Sequence, residues 1–190
     1  MRPELVNLKH IVAALALASV LAAAGAPLRA AAEPAPPELF AELAVADEDE
    51  APGIARQIES LWRRSGSATM DLLLKRGQDA LDSEQVPEAI EHLTALTDHA
   101  PDFAEGYHLR AQAFFRRGLV GPALADLEMT LSLNPQHYHA IFGLAVMLQE
   151  TGDTPAAEQL YRRVLAIHPH HRNALDALDA LQRDGIGRTL

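Results

Sequence analysis

The chain has 190 residues, 48% hydrophobic but only 5% aromatic, with 16 basic and 26 acidic residues and a formal net charge of −10. That length lies in the single-domain range, and a filling of Ala and Leu suits closely packed helices. Cysteine is absent, which excludes disulfides, thiolate metal sites, cysteine nucleophiles and the lipidated cysteine of a bacterial lipoprotein.

Residues 1–32 read as a signal peptide. Arg2 and Lys9 give a positive start, Ile11 to Ala24 is apolar except for Ser19, and Ala30, Ala31 and Ala32 offer small residues for cleavage. An uncleaved anchor is the rival reading. A spanning helix needs roughly 20 apolar residues, and Gly25, Pro27 and Arg29 interrupt the run first. Cleavage after Ala32 removes Arg2, Lys9, Arg29 and Glu4, leaving 13 basic and 25 acidic residues and a net charge of −12. Such a surface repels nucleic acid and anionic membrane. The expectation is a periplasmic or exported protein of a Gram-negative envelope, with no stable membrane insertion once the signal is cleaved.

Residues 33–69 follow as an N-terminal helical extension. Glu33 to Pro37 is an extended leader, and Leu39, Phe40 and Leu43 make a short apolar stripe. After the acidic run Asp47 to Glu50 comes a helix bearing Ile54, Ile58, Leu61 and Trp62. Those carboxylates suit a helix N-terminus, as Arg63 and Arg64 suit its C-terminus. Pro52 fits the first turn and Gly66 a C-terminal cap.

From Met70 the chain repeats. Pro101, Pro135 and Pro169 are spaced by 34 residues, and a fixed period of this size means stacked units. The units are 70–103, 104–137 and 138–171, each one amphipathic helix, a polar turn and a second helix ending at the proline. Gly118 and Gly152 share a turn position one period apart, and Asp153 or Thr154 caps the helix that Pro155 opens. Residues 172–190 form a C-terminal capping helix, with Leu175, Leu178 and Leu181 as its stripe, and a tail.

These units resemble tetratricopeptide repeats. Leu73, Tyr107 and Ile141 match the family's large early residue, Gly77, Ala111 and Ala145 its small first-helix residue, and Ala89, Ala123 and Ala157 its small second-helix residue. Leu93, Leu127 and Tyr161 on the second helices, with Phe114 and Leu148 on the first, are the interlocking residues. Arg76, Arg110, Ala80, Leu96, Thr130 and Val164 depart from the pattern. The resemblance implies an all-α, right-handed superhelical array of helix-turn-helix repeats. One period earlier, Leu39, Leu43 and Ala55 fall in the matching slots, so 36–69 reads either as a degenerate repeat or as a plain extension.

In that family the first helices line a concave groove that holds a peptide or partner helix. Carried across, the groove positions are Asp71, Leu74 and Gln78, then Glu105, His108, Gln112, Phe115 and Arg116, then His139, Phe142, Val146 and Gln149. The resemblance therefore implies a partner-binding scaffold, with Phe115 and Phe142 either apolar anchors or core, and Arg116 the group for a ligand carboxylate. No cofactor is expected.

Two other readings remain. Nine histidines, with His137, His139, His168, His170 and His171 at repeat junctions, raise a metal-responsive function; no HExxH element accompanies them, and solvated junction histidines are the simpler reading, so no metal ligand is assigned. A structural self-association module is the third, its groove filled by a neighbouring subunit or by the extension. Catalysis has no support: Ser65, Ser67, Ser83 and Ser132 lie in cap, turn or helix contexts, and Lys75-Arg76-Gly77 lacks the glycines of a phosphate loop.

Overall fold

The computed structural model describes residues 35–187, with side chains through Arg183. The expected signal peptide lies outside the described residues. Among those residues the protein is all helical: α1 Pro37–Val45, α2 Ala51–Trp62, α3 Ala68–Asp82, α4 Val86–His99, α5 Ala104–Arg116, α6 Val120–Leu133, α7 Tyr138–Glu150, α8 Thr154–Ile167 and α9 Arg172–Gly187. No described helix is long and apolar enough to cross a membrane.

Helices α3/α4, α5/α6 and α7/α8 are antiparallel pairs whose two kinds of turn recur at the 34-residue period. At the tight turn inside each pair, Glu84, Gly118 and Gly152 adopt left-handed backbone, with φ of 59°, 75° and 89°. The following amide reaches back five residues in all three copies, from Gln85 to Ala80, Leu119 to Phe114 and Asp153 to Leu148, at 2.8 to 2.9 Å. That bond satisfies a carbonyl the ending helix leaves orphaned. Between pairs, Pro101, Pro135 and Pro169 sit second in four-residue turns closed by Phe103 to Ala100, His137 to Asn134 and His171 to His168 hydrogen bonds. Asp153, not Thr154, caps α8, its carboxylate accepting from the Ala156 amide at 3.2 Å. Pro52 lies in the first turn of α2, and Gly66 takes φ 77° just beyond its end.

The paired backbones approach where the small residues fall. Ala89, Ala123, Ala145 and Ala157 are fully buried, and a Cβ on Gly77 would meet Leu93 at 2.5 Å. Departures from the family pattern have local partners. Arg110 forks onto Asp126 of α6 and donates to Thr97 of α4, and Thr130 turns its hydroxyl back to the Asp126 carbonyl. On α9 the inward residues are Ala174 and Leu178, while Leu175 is 39% exposed, so the expected stripe is rotated.

The extension does not stack in line ahead of the first repeat. Helix α1 packs on α2 and on α8, and one apolar core joins Phe40, Leu43, Ile54, Ile58 and Trp62 to Tyr138, Ile141, Tyr161, Val164 and Leu178. The first repeat has its own core around Leu74, Leu81, Leu93 and Phe103. Residues 37–62 therefore fold back onto the third repeat and the junctions on either side of it.

Candidate functional site

The two later junctions, with helices α5 and α7, place five histidines close together. His108 and His137 have ring centroids 4.4 Å apart, His139 and His171 5.8 Å, and His168 and His171 5.5 Å. The expectation of five solvated junction histidines is corrected for three of them: His137 is 0% exposed and His168 and His171 are also buried, while His139 and His170 are part-exposed. His108 of α5 is buried beside them. His137 is covered by the extension, and His168 and His171 lie against Tyr138. Trp62 stacks on His137 at 4.2 Å and 17°.

Two of these rings cap helices. His137 Nδ1 accepts from the Ala140 amide, and one period later His171 Nδ1 accepts from the Ala174 amide, each at 3.2 Å. The nitrogen that accepts carries no proton, so the Nε2 of His137 holds it and donates to Glu105 at 2.8 Å. The same carboxylate faces His108 Nδ1 at 3.3 Å, and His108 Nε2 meets the Gln112 amide at 3.0 Å.

Burial would raise the Glu105 carboxyl, but the His108 charge and hydrogen bonds from His108 and His137 outweigh it and hold the group well below the usual carboxylate range. His137 is pushed down to about 4 by burial and by neighbouring His108, against the pull of Glu105. Burial, with His139 and His168 nearby, likewise takes His171 to about 4. Burial lowers His168 too, and its Nδ1 has no hydrogen-bond partner.

Glu105, His108 and His137 offer ligand atoms within 4.8 Å of one another, the arrangement among the described residues that could hold a metal. It does not fit one. A metal on His137 Nε2 would need the lone pair there while Nδ1 already uses its own for the Ala140 amide, so the ring would have to lose both protons or abandon the cap. The trio is a closed hydrogen-bond network, and none of the three is assigned as a metal ligand.

The positions carried across from the family divide into two groups. Asp71 accepts from the amide and hydroxyl of Ser65 and ties down the start of α3. Leu74 is buried in the first repeat's core. Gln78 donates to Asp82 and Gln149 accepts from the Tyr161 hydroxyl. Arg116 donates to the Leu81 carbonyl at 2.7 Å, at the end of α3.

The second group meets in one place. His108, Gln112, Phe115, His139, Phe142 and Val146 line a cleft of about 240 Å³ between α5 and α7, floored by Ala111, Leu127, Gly143 and Met147. Its walls are apolar along the helices and polar at the junction end. Phe142 also packs on Tyr161 at 5.5 Å and on His171 at 5.3 Å, so it serves core and cleft together.

The junction end of this face is already engaged. Glu59 of α2 accepts from the Tyr138 hydroxyl at 2.8 Å and from His139 at 3.0 Å. Burial would raise the Glu59 carboxyl, but those two bonds hold it below its ordinary value. Beside these contacts, Glu59, Trp62, Arg63, Gln78, His108, Gln112 and His139 line a smaller cavity of about 170 Å³. Further along, His170 bonds the Ala46 carbonyl and Arg172 pairs with Glu48. Residue types gave no sign of this, because the pairs join positions 79 to 124 residues apart.

Comparison with known proteins identifies the repeats. Residues 74–126 and 120–172 each match the family model described as the tetratricopeptide repeat. A TPR repeat-containing protein of Rhizobium etli is 32% identical over 145 residues, spanning 76% of this chain and 71% of that protein. The first TPR of Spaghetti (RPAP3), solved bound to an HSP90 peptide, is similar in structure with a TM-score of 0.57 and 23% identity, over 60% of this chain and 91% of that one. The Sgt2 TPR domain of Aspergillus fumigatus gives 0.59 at 19% identity, over 65% and 83%. YrrB, described as a TPR protein with an unusual peptide-binding site, gives 0.53 at 18%, over 68% and 72%.

Proposed function

The chain belongs to the tetratricopeptide repeat family, and from that premise we propose that it is an exported, periplasmic adaptor that holds a segment of a partner protein against its inner face. The observation that carries this reading is the cleft between α5 and α7, where Phe115, Phe142 and Val146 offer apolar surface beside the polar His108, Gln112 and His139. An aromatic anchor in a pocket with a polar rim is the usual composition of a binding hot spot. Structurally similar repeat proteins solved with a peptide, or described by a peptide-binding site, support the same use of the fold. The address rests on the charged and apolar N-terminal stretch, and the acidic surface argues against nucleic acid as the ligand.

Arg116 is engaged by the Leu81 carbonyl, so the cleft recognises its ligand chiefly through apolar and hydrogen-bonding contacts. The test is capture of partners from an envelope extract by the purified protein, repeated with Phe142→Ala and Phe115→Ala. Loss of the same captured protein in both variants, with helicity kept, is the expected result. Normal capture by both, and loss with the outer-face variant Glu128→Lys, would place the partner on the opposite side.

A further inference from the structure

Residues 37–62 occupy the junction end of the inner face outside the 34-residue register of the repeats, packed on the third repeat through a shared core. Their hold on it combines that apolar core with a few localised polar and aromatic contacts. Trp62 lies flat on His137, Glu59 bridges Tyr138 and His139, and His170 bonds Ala46. We propose that α1 and α2 are a gate over the groove, held shut while His137 and His171 are neutral and opened by acid. As regulation of the groove this rests on the function proposed above; the detachment itself does not.

The mechanism follows from which ring nitrogen accepts. Protonation of His137 puts a hydrogen on Nδ1, where the Ala140 amide already points its own hydrogen. His171 and the Ala174 amide repeat the conflict one period on. Donor then faces donor at both helix starts, inside surroundings that shut water out. Lifting α2 removes Trp62 from the face of His137 and lets water solvate the new charge.

Neighbouring groups act in both directions. From α5, Glu105 favours a charged His137 and His108 opposes it. From α7, His139 opposes the charge on both rings. His168 opposes it on His171, while Glu59 of α2 favours it there. Arg63 sits near Glu59 and Tyr138, and the Arg172–Glu48 pair is exposed and screened. The Trp62 face attracts a cation, and the part-exposed Glu59–His139 pair contributes little. Burial is the first cause for both rings, and opening relieves it at His137, where Trp62 lies on the ring.

Trp62 is the chain's one tryptophan, so its emission reports the gate directly. The experiment follows Trp62 emission and its quenching by acrylamide from neutral pH down to about 4, with far-UV circular dichroism recorded on the same samples. Expected is a red shift and increased quenching as pH falls through the interval between 6.5 and about 4, with most helicity retained and full reversal on return to neutral pH. Emission that stays constant across that interval, or moves only as helicity is lost, overturns the proposal. Asparagine keeps a cap acceptor without titrating, so His137→Asn with His171→Asn should abolish the transition; its persistence in the folded double variant would remove these histidines as the latch. Failure of the gate leaves partner capture at neutral pH intact, and failure of capture leaves the fluorescence transition intact.

Discussion

Arg110 and Asp126 face each other across the second repeat with two parallel bonds of 2.7 and 2.8 Å, largely shut away from water. The equivalent positions one period later are Leu144 and Leu160. The same two scaffold positions thus carry an ion pair in one repeat and two leucines in the next. Breaking a buried pair strands a charge and typically costs about 3–5 kcal/mol, whereas replacing both members by apolar residues is often neutral or better. Asp126→Leu alone should therefore lower stability to urea sharply, and Arg110→Leu with Asp126→Leu should recover most of the loss. Equal losses in the single and double variants would show that the second repeat depends on the pair for more than charge balance.

Glu84 holds the left-handed backbone that glycine supplies at the two later turns. A non-glycine residue there carries strain of order 1 kcal/mol or more. Glu84→Gly should raise the melting temperature by relieving it, with a gain of about 1 kcal/mol reduced by the extra entropy of glycine in the unfolded chain. Gly152→Ala should move the other way although nothing lies within 4 Å of the added carbon. A loss of stability in Glu84→Gly would mean that the first turn is not strained.

The same turns show where residue types are informative and where they are silent. The proline period located every junction, and Gly118 with Gly152 marked two of three tight turns, because those residues have few conformations to choose from or uniquely many. Nothing about glutamate signals a left-handed position, so Glu84 went unread. The small residues at 89, 111, 123, 145 and 157 marked the helix contacts correctly, since volume at a close approach is a local property. Where Trp62 lands is not local: an amphipathic helix shows that it has an apolar face, not which surface receives it. His137 shows the same limit: its polarity points to solvent, yet Trp62 of a distant helix covers it. Arg116 was legible as a basic group near the groove, but its bond to Leu81 depends on how adjacent repeats are offset.

Ala123 is fully buried at the contact between α5 and α6. Overpacking such a site typically costs about 1–3 kcal/mol, more than the small differences in helix propensity between alanine and leucine. Ala123→Leu should lower the melting temperature, while Ala125→Leu, two residues on and exposed, should leave it nearly unchanged. Equal effects at the two positions would mean that the register of α6 against α5 is different.

Stability against pH follows from the buried histidines. His137 titrates at about 4 in the folded protein and near 6.5 when unfolded, so between those values the unfolded chain binds the extra proton. The stability that the neutral ring contributes is complete above about 6.5 and falls as pH drops toward 4. A full separation of those two values corresponds to roughly 3 kcal/mol for His137, and His171 adds loss in the same direction over the same interval. Glu105 and Glu59 have lowered values, so their contributions are present above the ordinary carboxylate range and are lost only at more acid pH. Urea unfolding at stepped pH should therefore show a falling midpoint that begins near pH 6.5, above any carboxylate titration. In His137→Asn the fall over that interval should be shallower, with the carboxylate-dependent loss below it preserved. A wild-type midpoint that stays flat from pH 6.5 to 4.5 would mean that these rings are already charged in the folded state.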